Sequence, residues 1–149
     1  MSSLFGEGPE ALDEGDCETT PLRSLQVLNW QTAKRLDIYS RKTGISPKTM
    51  VMTANTANIL RLYNATRNVW TFHAEEFFKH AAVVKIFYGG KDVTESCIEA
   101  VRIGPLKWAE IRVVPLKQGE FYFRDEKSFA LGKIFSGDDA RAPGHIIVR

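Results

Sequence analysis

Ala33-Lys34-Arg35-Leu36-Asp37-Ile38-Tyr39-Ser40-Arg41-Lys42-Thr43-Gly44-Ile45-Ser46-Pro47 is the stretch on which the reading of this chain turns. Together with the preceding Leu22, Leu25 and Leu28, its Leu36 and Tyr39 recur at helix-like spacing, while Lys34, Arg35, Asp37 and Arg41 fall on the opposite face. The pattern predicts one long amphipathic helix. It stops at Gly44, where Lys42, a C′-type glycine and then Pro47 follow one another.

Downstream, Thr49–Thr53 reads as a short buried strand, and Thr53, Asn55 or Thr56 as the N-cap of a second helix with Ala57, Ile59, Leu60, Leu62 and Tyr63 on its apolar side. A third, shorter helix is expected at Ala74–His80, where Glu75 and Glu76 suit the positive end of the helix dipole. From Ala82 the signal turns to strands: Ala82–Tyr88 closed by Gly89-Gly90, Cys97–Ile103, Trp108–Leu116, Glu120–Phe123, Phe129–Phe135 and Ile146–Val148. Lys117-Gln118-Gly119 predicts a hairpin. The polar, breaker-rich run Ser136–His145 predicts an exposed loop. The expected fold class is therefore α+β: one long amphipathic helix and one or two shorter helices packed on a mainly antiparallel sheet.

Length and composition agree with a single folded unit. The chain has 149 residues, of which 44% are hydrophobic and 26% charged, close to globular averages. The net charge of +2 hides an asymmetry: Glu7, Glu10, Asp13, Glu14, Asp16 and Glu18 precede the first Lys or Arg, so the remainder carries 20 bases against 12 acids. This division predicts an acidic, flexible arm over residues 1–21 and one α+β domain over residues 22–149. No apolar run is long enough for a membrane-spanning helix, and the start lacks the basic and apolar regions of a secretion signal. Cys17 and Cys97 lie far apart without metal-ligand spacing, and are expected as free thiols in a reducing, cytoplasmic compartment.

Chemistry-bearing motifs are sparse. Asp138, Asp139 and His145 match no calcium loop, and His73 with Glu75 and Glu76 reads as local helix capping. Gly89-Gly90-Lys91 lacks the first glycine and the hydroxyl residue of a phosphate loop. The sequence thus predicts no enzyme, no catalytic residue, no cofactor and no metal. Lys34, Arg35, Arg41, Lys42 and Lys48 crowd one segment, which leaves a nucleic-acid partner open with weak support. Trp30, Trp70, Trp108, Phe72 and Phe78 read as core residues or interface anchors.

The run Ala33–Thr53 followed by Ile59-Leu60 and Leu62, with the later Ala109–Pro115, Gly119 and Phe121–Asp125, resembles the body segment of tailed-bacteriophage major capsid proteins. That resemblance implies a spine helix ending in a Gly-x-x-Pro turn and a shell-forming body from Leu22 onward. Residues 1–21 leave no room for the long arm and extended loop of that family. The implied function is a structural protein of a virion or capsid, in contact with other protein subunits, its own or viral ones. Arg35, Arg41 and Lys42 are the expected interface cations, with Glu7, Glu10, Asp13, Glu14, Asp16 and Glu18 as their acidic counterparts. Two alternatives stand beside it: an intracellular binding or adaptor module for a protein or nucleic acid, and a subunit of a larger non-viral complex.

Overall fold

In a computed structural model, residues 12–14, 28–93, 97–128 and 144–149 are described. They form two six-stranded sheets packed face to face. The strands are β1 (Leu12–Glu14), β2 (Lys34–Arg41), β3 (Gly44–Ser46), β4 (Thr49–Met52), β5 (Asn58–Asn64), β6 (Val69–His73), β7 (Ala81–Tyr88), β8 (Lys91–Asp92), β9 (Ile98–Ile103), β10 (Trp108–Pro115), β11 (Gly119–Ser128) and β12 (Gly144–Val148). Sheet one runs β1-β9-β6-β11-β12-β4 and sheet two β3-β2-β5-β10-β7-β8. The pairs β2–β5 and β4–β12 are parallel and the other ladders antiparallel. One five-residue helix, α1 (Glu75–Lys79), and a single 3-10 turn at Trp30–Thr32 complete the described elements.

The α+β expectation is therefore corrected: the described chain is a mixed-sheet β-sandwich without a long helix. Residues 34–41 form β2, and the period is two. Leu36, Ile38 and Ser40 turn inward, while Arg35, Asp37, Tyr39 and Arg41 turn outward. The alternation is masked because Ser40, fully buried, holds an inward place and Tyr39 an outward one. Gly44, read as a helix stop, has φ of 128° and opens β3 in a hairpin with β2. Leu22 and Leu25, which completed the helical stripe, lie outside the described residues.

The second expected helix is also a strand. Asn58–Asn64 is β5, inside sheet two between β2 and β10, with Leu60 and Leu62 inward and Ile59, buried as well, on the outer face beside the half-buried Arg61 and Tyr63, so the apolar residues fall on both faces. Thr53, Asn55 and Thr56 build a turn instead of a cap: the Thr56 hydroxyl donates to the Thr53 carbonyl at 2.7 Å, and Asn55 takes φ of 63°. Lys117-Gln118-Gly119 is no hairpin. It carries the chain from β10, flanked by β5 and β7, to β11 in the other sheet. The strands at Ala81–Tyr88, Ile98–Ile103, Trp108–Pro115 and Gly144–Val148 and the short helix agree with the sequence reading. Phe129–Phe135 and 136–143 lie outside the described residues.

Between the sheets, Ile38, Leu60, Leu62, Ile86 and Ile111 of sheet two meet Trp70, Phe72, Val101, Phe123 and Ile146 of sheet one. Aromatic rings dominate. Phe72 lies 5.1 Å from Phe123, 6.0 Å from Trp70 and 6.2 Å from Phe78, the latter two edge to face. Phe77 and Phe78 anchor α1 in this core and so leave Glu75 and Glu76 exposed. Trp70 and Phe72 fill the core as expected, whereas Trp108 is 44% exposed.

Polar groups set the ends of the strands. The buried Asn64 amide donates to the carbonyls of Asn68, Ile103 and Gly104 at 2.8–3.0 Å, and its oxygen accepts from the Thr66 amide and hydroxyl at 3.0 and 2.7 Å. One side chain thereby ties the β5–β6 loop to the end of β9. On the outer face of sheet two, Glu110 is held between Arg61 at 3.1 Å and Arg112 at 3.2 Å. Tyr63, and then Glu110, push the Arg61 pKa further above its ordinary value.

Candidate functional site

The chain has three histidines, and the fold draws them to one region of sheet one. His73 ends β6. Directly after it, α1 is positioned by Phe77 and Phe78 in the core and by the Ala74 amide donating to the Glu99 carbonyl at 3.1 Å. His80 closes the helix, and its carbonyl accepts from the Leu116 amide at 2.9 Å, which brings the 116–119 connection alongside.

Strand β11 supplies the floor. Phe121 and Phe123 point inward, so Glu120, Tyr122 and Arg124 necessarily point outward. Arg124 stands opposite His73 in the ladder, and its guanidinium nitrogen lies 3.0 Å from His73 Nδ1. A guanidinium only donates, so this contact occupies the acceptor lone pair of the imidazole. His145 stands opposite Tyr122 on β12, with ring centres 4.8 Å apart, and its Nδ1 lies 2.6 Å from Glu120 Oε2. That geometry makes Nδ1–H the donor to the carboxylate and turns Nε2 outward.

His73, Glu75, Glu76, His80, Lys117 and Glu120, with Phe121, Tyr122 and Arg124, line a cleft of about 500 Å³. It is lined by charges of both signs. Glu75 and Glu76 come from α1, and Lys117 and Arg124 from β11 and the connection before it. Glu120 is engaged with His145, and Glu76 lies 4.0 Å from His80. Lys117 and Glu75 have no partner of opposite charge among the described residues.

The cations expected at an interface are elsewhere. Arg35 and Arg41 are exposed on β2 and Lys42 lies in the turn after it. Asp13 and Glu14 belong to β1, paired with β9, while Glu7, Glu10, Asp16 and Glu18 lie outside the described residues, as do Asp138 and Asp139. Gly89-Gly90-Lys91, which lacks the features of a phosphate loop, lies at the turn between β7 and β8. Lys117, Glu120, Tyr122 and Arg124 were not singled out in the sequence, because only the β6–β11–β12 pairing brings them to the histidines.

No protein-family model matches the chain, and no curated protein does. Solved structures do. The McoA multicopper oxidase from the hyperthermophile Aquifex aeolicus matches 89% of this chain with a TM-score of 0.56 and 13% identity. Copper nitrite reductase from Nitrosomonas europaea matches 85% with a TM-score of 0.55 and 10% identity. The fold is cupredoxin-like. A multicopper oxidase from Pediococcus acidilactici matches 91% of the chain with a TM-score of 0.52 and 11% identity. The chain spans 31%, 52% and 29% of the lengths of these three proteins.

Three expectations fall with this finding. The resemblance to phage capsid proteins does not hold, because the segment that carried it is a pair of sandwich strands and the structural neighbours are copper proteins. The virion and capsid function, and the adaptor alternatives weighed beside it, fall for the same reason. So does the expectation of no enzyme, since it rested on missing motifs, while oxidases and a reductase are built on this fold.

Those titles raise the question of copper in this chain. A mononuclear copper centre of the electron-transfer type takes two imidazoles and a cysteine thiolate. Cys97 is disulfide-bonded, which corrects its reading as a free thiol and removes that thiolate; Cys17 lies outside the described residues. Among the described residues no three His, Cys, Asp or Glu side chains come together to hold a metal, and His73 Nδ1 already receives Arg124. The described donor set does not fit such a centre.

Proposed function

We propose that this chain is a cupredoxin-like domain that binds a small zwitterionic ligand, of the amino-acid type, in the histidine-lined cleft, with no copper centre among the described residues. The observation that carries the reading is that Lys117 and Glu75, one cation and one carboxylate without an opposite-charge partner among the described residues, line the same cleft. Lys117, with Arg124 beside it, receives the ligand carboxylate; Glu75, with Glu76 beside it, receives the ammonium. A volume of about 500 Å³ suits a small molecule. Both walls are exposed, so solvent screening keeps the affinity low, with a Kd on the order of a millimolar.

Titration calorimetry tests this with free L-alanine against its two halves, acetate and methylammonium. L-alanine is expected to bind more tightly than either half, and Lys117→Ala to weaken it by about tenfold. Acetate binding as well as L-alanine, or an unchanged affinity in Lys117→Ala, rejects the zwitterion.

A second reading rests on His145 and Glu120. A carboxylate at 2.6 Å from Nδ1 orients the ring and leaves Nε2 facing outward, the arrangement of a general base beside a bound ligand. The disulfide at Cys97 supports an oxidising compartment for the protein.

A further inference from the structure

At the opposite end of sheet two from the connection at residues 116–118, three strands present one aromatic row. Tyr39 of β2 pairs with Tyr63 of β5, and Tyr63 with Trp108 of β10. The rings stack across the strands with centres 4.8 and 6.0 Å apart and planes 14° and 26° from parallel. The Arg41 guanidinium lies 4.5 Å from the Tyr39 ring centre. At the other end of the row Trp108 is open, since the next strand continues past Tyr88, the partner of Ala109, with Gly89 and Gly90, which have no side chains.

Hydrogen bonds gather the loops around this row. The Ala65 amide donates to the Ser40 carbonyl, the Asn64 amide to Lys107 and the Leu106 amide to Thr66. Leu106 is thereby held at 70% exposure beside Trp108 at 44%. These are two of the three large apolar side chains exposed among the described residues. The same loops carry Lys42, Arg67 and Lys107, all exposed, and none of them, nor Arg41, is paired with a carboxylate among the described residues. Two acids stand one row away in register: Glu110 is held between Arg61 and Arg112, and Asp37 is exposed on β2 opposite Arg61.

We infer that the Tyr39–Tyr63–Trp108 row, with Leu106 and its basic rim, is a docking surface for a protein partner that offers an acidic surface around an apolar side chain. Exposed aromatic and aliphatic groups within a charged rim are the anatomy of an interface core. The cations Arg41, Lys42, Arg67 and Lys107 outnumber the one exposed acid beside the row, Asp37, and are not paired with carboxylates among the described residues, so they favour an acidic partner. Single-stranded nucleic acid is the weaker fit. Bases stack on open ring faces, and in this row both faces of Tyr63 are covered by its neighbours while Arg41 lies against Tyr39. This surface is separate from the histidine cleft, and neither depends on the other.

The probes are a synthetic peptide of alternating glutamate and leucine, poly-L-glutamate and an oligouridylate, each titrated into the full chain while tryptophan emission and backbone amide resonances are followed. The glutamate–leucine peptide is expected to shift the Leu106–Trp108 amides and to bind more tightly than poly-L-glutamate. Both affinities should fall as salt rises. Arg41→Glu with Lys107→Glu should weaken the peptide by about tenfold or more; Trp108→Ala should do the same while leaving the thermal midpoint near that of the parent. Tighter binding of the oligouridylate, or peptide binding that survives both sets of substitutions, overturns the proposal.

Discussion

Phe72→Ala is expected to lower the unfolding free energy by about 3–5 kcal/mol, the range for truncating a fully buried aromatic side chain. Phe72 touches Trp70, Phe78 and Phe123, one ring from its own strand, one from α1 and one from β11. Its removal opens a cavity where strand, neighbouring strand and helix meet, and none of them can close it alone. Urea denaturation gives the number, and a loss below about 1 kcal/mol at unchanged m would remove Phe72 from the centre of the core. The same substitution should loosen α1, whose other anchor is Phe77, and so open the cleft that α1 borders.

Asn64→Ala is expected to be of similar size, on the order of 3–5 kcal/mol, for a different reason. The side chain serves five groups at the ends of β5 and β9, and a buried polar group left without its partner costs about 1–3 kcal/mol. Asn64 stands beside Tyr63, so the loops that carry Leu106 and Arg67 should lose their order in the same variant. Hydrogen exchange at the Thr66 and Leu106 amides reports this directly. Protection at both that equals the parent's would show that backbone contacts alone hold the loops.

These two effects belong to a sandwich, and it is instructive where the sequence concealed one. The strands β7, β10 and β12 were legible because unbroken or alternating runs such as Ala81–Tyr88 and Ile146–Val148 leave little choice of period. Strand β6 was not read at all, and β2 and β5 were read as helices. In β2 a buried serine interrupts the inward apolar set. In β5 the outward positions Ile59 and Tyr63 are apolar or aromatic like the inward Leu60 and Leu62, which weakens the contrast on which a period-two reading depends, and the four mimic a helical stripe. Parallel pairing of these same two strands is what tertiary context supplied.

The site was legible in part. His73 with Glu75 and Glu76 stood out locally, and so did His145, yet nothing in the chain announces that they share a region. Their convergence depends on β11 pairing with β6 along one half and with β12 along the other, contacts between residues far apart in sequence. Arg124 carries no local signal in the sequence, and only its register places it opposite His73. The same pairing bears on the copper question, because it places a guanidinium, which can only donate, 3.0 Å from His73 Nδ1.

The central claim is that the histidine-bearing region of this fold receives a zwitterion and not copper. Imidazole nitrogen NMR of the three histidines tests it most directly, with L-alanine added first and copper(II) afterwards. The account expects the His73 and His80 signals to move together along one saturating curve with L-alanine, and His73 to show no stoichiometric loss of signal when copper follows. Histidine signals that ignore L-alanine but vanish with one equivalent of copper would contradict it.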